Sequence, residues 1–556
     1  MKFSTVLASA AFSTAALAAI DPIVIKGSKF FYKSNGTEFF MRGIAYQQDT
    51  VNAEDADAVA KADVVYEDPL AHPESCKRDI PYLQQLRTNT IRVYAVDPSK
   101  DHDDCMKALA DAGIYVVADL SEPSKSINRD SPAWNVDLYK RYTSVIDSLA
   151  KYDNTLGFFA GNEVSNNVTN TDASAFVKAA VRDSKAYIKS KGYREIGVGY
   201  ATNDDAEIRM NLAHYFNCGD ETKDNIDFWG YNVYSWCGDS SFTKSGWDIL
   251  VKNFTDYSVP MFFAEYGCNK VQPRQFTEVK TLFGDDMTGV VSGGIVYMYF
   301  QEDNDYGLVK VSGDKVSKLD DFDNLKKQIQ DVAPKGVKMS DYKPENSPAK
   351  CPSSSDWRAS PKLPPTPNAD ACKCKVKSLG CKLKDNVSKK KLATLFDTVY
   401  SFGSKYTVDI YANGTSGQYG AYSMCDSRDQ LSIAMDAYYQ EQVKRGTSAG
   451  QHACDFDGAA ETQDAEKPSG TCEKAIKSAE AAATSAPTGG SDKTDNDKDD
   501  DKDSDASETS STASASATES DAAGILRAPS VGFSTIFGIG AYVAAAMLAG
   551  ASTLLL

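Results

Sequence analysis

Two stretches decide the fold: Gly157-Phe158-Phe159-Ala160-Gly161-Asn162-Glu163 and Met261-Phe262-Phe263-Ala264-Glu265. Each is a short apolar run that turns polar only at its end, where a glutamate stands. A strand reads this way when both of its faces are covered, as helices cover a parallel sheet. Working outward, similar runs recur at Phe40–Tyr46, Thr90–Val96, Ile114–Leu120, Leu156–Asn162, Ile196–Ala201, Phe228–Tyr234, Met261–Glu265 and Gly294–Tyr299. Helix-forming stretches such as Leu138–Lys151 and Ser174–Lys189 lie between them. Eight strand–helix repeats over roughly 260 residues predict an α/β chain with a (β/α)8 TIM barrel, a fold of about 250 residues. A doubly wound open sheet is the alternative.

In such a barrel the functional side chains stand at the C-terminal ends of the strands. Reading off those ends gives Gln47, Tyr94, Asp119, Asn162 with Glu163, Asn203 with Asp204, Tyr234, Glu265 and Tyr297. No serine–histidine pairing is among them. The four histidines (His72, His102, His214, His452) lie elsewhere without metal-ligand spacing, so neither a metal nor a cofactor is expected. Two acids among amides and tyrosines fit glycoside cleavage: one protonates the leaving oxygen, the other attacks the sugar carbon. Tyrosines add flat faces for sugar rings and hydroxyls to orient them. Glu163 and Glu265 are 102 residues apart. Three βα units of about 31 residues each nearly span that distance, which puts the acids at the ends of strands four and seven. Arg92 falls inside strand two, where an unpaired charge is costly. Its expected partner is Glu265, whose pKa it would lower, keeping a nucleophile ionised. A structural ion pair elsewhere is the alternative.

The 556-residue chain is too long for one ordinary domain. Residues 1–18 read as a secretory signal ending in Ala16-Leu17-Ala18. The dense region 19–335 holds the barrel, and 336–370 reads as a Pro-rich linker. A cysteine-rich module spans 371–475, and a Ser/Thr/Asp-rich stalk spans 476–522. The stalk stretch Ser491–Ser510 carries nine Asp/Glu against three Lys, about a third of the net charge of −17. Such a run is a solvated tail, and no basic patch points to nucleic acid. Residues 523–556 end apolar, with small residues near Ala522, as in a GPI-attachment signal whose tail is removed. A transmembrane anchor is the alternative. Twelve cysteines fit an oxidising compartment. N-glycosylation sequons stand at Asn35, Asn167, Asn253, Asn386 and Asn413.

Four motifs carry a resemblance. They are Arg42-Gly43-Ile44-Ala45-Tyr46-Gln47, Gly157 to Glu163, Phe263-Ala264-Glu265-Tyr266-Gly267-Cys268 and Gly293-Gly294-Ile295-Val296-Tyr297-Met298-Tyr299. The chain resembles the fungal cell-wall β-1,3-glucanosyltransferases of the Gas/Gel/Phr family, glycoside hydrolase family seventy-two. The resemblance implies Glu163 as acid/base and Glu265 as nucleophile, the nucleophile that Arg92 is expected to support. It implies that Gln47, Tyr94, Asp119, Asn162, Asn203, Asp204, Arg209, Tyr234, Tyr297 and Tyr306 contact the glucan or shape its site. It also implies the bridges Cys76–Cys105, Cys218–Cys351 and Cys237–Cys268. The cysteine module resembles the carbohydrate-binding modules of family forty-three, with Cys372–Cys425, Cys374–Cys472 and Cys381–Cys454 as its bridges. Two further cysteines, usual near Leu395–Tyr406, are absent, and Ser235 stands where the family often has Glu. The implied activity is cleavage of β-1,3-glucan with retention and transfer of the new reducing end to another glucan chain. The implied location is the outer face of the membrane and the wall, as a GPI-anchored monomer. A retaining endo-β-1,3-glucanase and a non-catalytic wall-binding protein are the rival readings.

Overall fold

The computed structural model describes residues 20–48, 67–219, 222–446 and 452–483. The signal stretch, most of the stalk, and the apolar end with its attachment site lie outside the described residues. The chain divides into two units. One runs to Pro367 and also takes in Ala412–Gly417; the other holds Asn368–Tyr411 and the residues from Gln418 onward.

The first unit is a closed barrel of eight parallel strands. A hairpin, β1 (Ile23–Lys26) and β2 (Lys29–Tyr32), precedes it. The barrel strands are β3 (Met41–Ala45), β4 (Thr90–Val93), β5 (Tyr115–Asp119), β6 (Thr155–Asn162), β7 (Gly197–Thr202), β8 (Trp229–Val233), β9 (Met261–Tyr266) and β10 (Val291–Val296). They follow one another around the ring, and β10 pairs with β3 to close it. The hairpin plugs the bottom: Phe30 packs on Phe228, just before β8, and on Phe262, near the start of β9. Phe159 lies against the same two rings and completes an aromatic layer inside the barrel.

The expected strands match these within one residue at each end, except that β4 stops three residues before the expected Val96 and the last strand is shifted by three. Gly294, where the expected strand opens, lies within β10 beside Gly293, and the two stand opposite Arg42 and Met41 of β3. A Cβ on Gly293 would stand 2.2 Å from the Met41 carbonyl oxygen, so only glycine lets the two backbones meet there. Tyr297–Tyr299 therefore fall beyond the strand. Register shifts interrupt the ladder between Phe159 and Asn162 on β6 and between Gly230 and Asn232 on β8. Both lie just below the candidate acids, where such irregularities re-aim side chains.

Residues 336–367 do not behave as the linker their composition suggests. They belong to the barrel unit. Cys351 bonds Cys218, and the buried Trp357 ring lies 5.0 Å from Tyr215. Apolar and cystine contacts at a few positions outweigh a proline-rich average.

The second unit packs helices Ala369–Lys377, Lys389–Ser401, Ser427–Lys444 and Gly470–Ala482 around a two-stranded sheet, Cys381–Leu383 with Ala460–Thr462. Its bridges are Cys372–Cys425, Cys374–Cys472 and Cys381–Cys454. Where two more cysteines are usual, the helix Lys389–Ser401 buries Leu392, Phe396 and Val399.

Candidate active site

Arg92 is the centre from which the site is built. It points from β4 into the barrel and is fully buried, its guanidinium lying over the Tyr94 and Phe159 rings. A guanidinium offers five N–H donors, and here all five are used. Nε and Nη2 donate to the two carboxylate oxygens of Asp119, both at 3.1 Å. Nη2 also donates to Asn162 Oδ1 (3.0 Å), and Nη1 to Glu265 Oε1 (3.3 Å) and the Ala264 carbonyl (3.4 Å). One cation thus fixes the ends of β5, β6 and β9 together.

Glu265 receives three side-chain groups. Besides Arg92, the Tyr94 hydroxyl donates to Oε1 (3.0 Å) and the Tyr234 hydroxyl to Oε2 (2.9 Å). Among the described residues Glu163 has one side-chain donor, the Asn232 amide, at 2.8 Å. The same amide nitrogen donates to Asn162 Oδ1 at 3.1 Å, tying the two networks together. Burial, then the nearby Glu265 charge, push the Glu163 carboxyl up to about 7, and Asn232 opposes them. Burial also raises Glu265, against Arg92 first and then Tyr234 and Tyr94. This corrects the expected lowering: Arg92 pulls in the expected direction, but water exclusion outweighs it. Of the two acids, Glu265 is the better provided for a negative charge, with three donors, and Glu163 the better suited to keep a proton.

Glu163 has a left-handed backbone, φ 49°. The Glu163 N–H donates to the Ala201 carbonyl of β7 at 2.9 Å, and the Val164 N–H to the Tyr200 hydroxyl at 2.9 Å. Arg129 Nη2 donates to the Glu163 carbonyl at 2.5 Å.

Tyr297 and Tyr306 complete an aromatic wall behind Glu265. Edge-on contacts run from Tyr94 to Tyr297 (6.4 Å), Tyr297 to Tyr306 (5.3 Å) and Tyr306 to Tyr234 (5.8 Å). The buried Arg274 supports this wall, donating to the carbonyls of Tyr297 (2.6 Å) and Tyr306 (2.5 Å) and pairing with Asp321. Cys237–Cys268 joins the segments after β8 and β9, and Cys76–Cys105 stitches the helices Pro73–Gln85 and Asp103–Asp111.

Gln47, expected to contact the glucan or shape its site, is fully buried. Its Oε1 accepts the N–H groups of Tyr94 and Ala95, and its Nε2 donates to the Glu67 carbonyl. It places Tyr94. Asp119 likewise spends both oxygens on Arg92. Asp204 pairs with Arg209 and accepts the Tyr231 hydroxyl. No hydrogen bond or ion pair among the described residues joins that trio to the two acids. Asn203 Oδ1 is buried without a partner beside it.

Sequence reading missed Asn232, Arg129 and Arg274. Asn232 had a signal, since it stands two residues before Tyr234 and strand alternation points both the same way. The arginines had none, because their partners, main-chain carbonyls and for Arg274 also Asp321, are brought to them only by folding. Among the described residues no group of three or more His, Cys, Asp or Glu could hold a metal ion.

A closed (β/α)8 barrel with two buried glutamates at the ends of β6 and β9, one donor-rich and one donor-poor, defines a glycoside hydrolase-type enzyme. The chain belongs to the glucanosyltransferase family, glycoside hydrolase family 72, which it matches over residues 12–333, with an X8 domain over 379–461. It is 56% identical, over the full length of both chains, to the 1,3-beta-glucanosyltransferase of Arthroderma benhamiae. It is 46% identical to the gas1 1,3-beta-glucanosyltransferase of Schizosaccharomyces pombe, over 87% of each chain. Among solved structures it resembles Saccharomyces cerevisiae Gas2p, a glutamate-to-glutamine mutant in complex with laminaritetraose and laminaripentaose. That match has a TM-score of 0.72 and 42% identity, covering 83% of this chain and 98% of the other. The protein is a glycoside hydrolase-type transglycosylase.

Proposed function

We propose that this chain cleaves β-1,3-glucan internally with retention and transfers the new reducing end to another β-1,3-glucan chain. Glu265 attacks the anomeric carbon while Glu163 protonates the departing chain. The observation that carries this reading is the unequal provision of the two acids. Three donors steady the Glu265 charge before attack, while Glu163, with one, holds its proton. Forming the glucosyl ester removes the Glu265 charge. The repulsion that raises Glu163 then disappears, so Glu163 becomes ready to act as base in the second half. An acceptor held on the site competes with water through effective concentration. Tyr94, Tyr234, Tyr297, Tyr306 and Trp236 supply the aromatic surroundings.

The relatives' activity supports the transfer reading, and the two acids stand against a non-catalytic wall-binding protein. The enzyme acts outside the cell, at the wall. We place it on the outer face of the membrane as a GPI-anchored monomer, after loss of residues 1–18 and 523–556. The test is incubation with a reduced laminari-oligosaccharide at millimolar concentration. Products longer than the donor, joined by β-1,3 bonds and β at the new linkage, are expected. Shorter products alone, at every donor concentration, would make it a hydrolase.

A further inference from the structure

We infer that Arg129, in the segment after β5, is a positioning residue for Glu163: it seats that glutamate's main chain and sets its positive charge beside the carboxyl group. The inference rests on Glu163 acting as acid/base. The turn at Glu163–Val164 is held at three points. Two are the Ala201 carbonyl and the Tyr200 hydroxyl, both on β7. The third is Arg129, the only one of the three from the β5 side and the only one with a charge. Glu163 has φ 49°, a region that costs a residue with a side chain about 1 kcal/mol or more, so the turn needs surroundings that hold it.

Arg129 is itself firmly placed. Asn128 Oδ1 accepts the N–H groups of Asp130 and Ser131, shaping the chain around it. Ile127 on one side is buried, and so is Trp134 on the other, whose indole N–H donates to Asp183 at 2.8 Å. A guanidinium on so fixed a segment does two things to the acid. It prevents the carbonyl at residue 163 from swinging, which would re-aim the carboxyl. It also favours the ionised carboxylate. The other groups that face Glu163 are Glu265 from β9, which disfavours its ionised form, and Asn232 from β8 and Arg92 from β4, which favour it. Arg92 is already committed to Asp119 and Glu265, so Arg129 is the cation whose loss acts mainly on Glu163.

The test compares Arg129→Gln and Arg129→Lys with wild type, measuring kcat and KM across pH in a transfer assay on a laminari-oligosaccharide. Arg129→Gln should lower kcat about tenfold with KM nearly unchanged. It should also move the basic limb of kcat/KM upward by about half a pH unit, because Glu163 keeps its proton longer without a cation nearby. Arg129→Lys should return the limb to its wild-type position. A merely structural role would lower activity equally at all pH and leave the limb in place, which overturns the inference. A raised KM with an unmoved limb overturns it too, in favour of direct substrate contact. Glu163→Gln, assayed alongside, separates the two levels. If that variant stays active, the acid/base reading fails. If it is inactive and the Arg129→Gln limb is fixed, only the inference fails.

Discussion

Glu163 is the residue on which stability and activity meet. Its carboxyl is raised from the ordinary value to about 7, so the folded chain holds a proton that the unfolded chain has already released. Stability from this group is fully present below the unfolded value and is lost as pH rises through the folded one. Glu163→Gln cannot ionise. Its melting temperature should match wild type near pH 4 and exceed it above pH 7, by on the order of 2 kcal/mol in stability. Thermal scans across pH check this; a difference constant with pH would show that Glu163 is not held protonated. Activity should run the other way. Glu163→Gln and Glu265→Gln should each lose at least ~10³-fold in rate, the first because no proton reaches the leaving oxygen, the second because no nucleophile remains. Arg92→Lys keeps the charge but not the fork that binds Asp119, Asn162 and Glu265 together. It should lose about 10²-fold in kcat, read from initial rates.

At the scale of elements, the strands were legible because helix-covered parallel strands carry apolar side chains on both faces, as Thr155–Asn162 and Met261–Tyr266 do. Their ends were legible because polarity returns there. β10 was displaced because its apolar run continues past Val296 to Phe300, and because glycine reads as punctuation until the approach of Met41 is known. The same limit applies in the site. The acids, Arg92 and the tyrosines stand at positions that chain order alone exposes. Which of its two expected parts Gln47 takes was not legible, since its partners at Glu67 and Tyr94 are settled by folding. Loop geometry above β8 and β9 depends on Cys237–Cys268, which closes a separation of 31 residues. Replacing both cysteines by serine should cost ~3 kcal/mol. It should also lower kcat more than stability alone explains, because Tyr234 and Glu265 lie on the two joined arms. Assays well below the melting temperature separate these effects. Unchanged kcat there would show that the strands alone fix the pair.

Across the whole barrel unit, the covering of its flank decides where the catalytic part ends. Composition places that end near residue 335, but the packing carries it to Pro367. The Tyr215 hydroxyl donates to the Ser360 carbonyl at 2.6 Å, and Trp357 covers its ring. Arg182 donates to the Pro364 carbonyl (2.8 Å), and Thr366 to Asp183 (2.7 Å), the carboxylate that also holds Trp134. Lys178 lies beneath, donating to the Tyr215 carbonyl at 2.6 Å, its ammonium lowered by burial to about 8. A chain stopped at residue 335 would open this site to water and leave Cys218 unpaired. Loss of the Cys218–Cys351 bridge, which spans 133 residues, removes roughly 5 kcal/mol by loop closure. Loss of the Trp357 contact removes about 2 kcal/mol more. A secreted fragment ending at 367 should therefore melt well above one ending at 335, by ten degrees or more for a domain of this size. The difference should shrink when Cys218→Ser and Cys351→Ser are present in the longer fragment, because the bridge is then absent from both. Equal melting temperatures for the 335 and 367 fragments would restore 336–367 to the role of a linker.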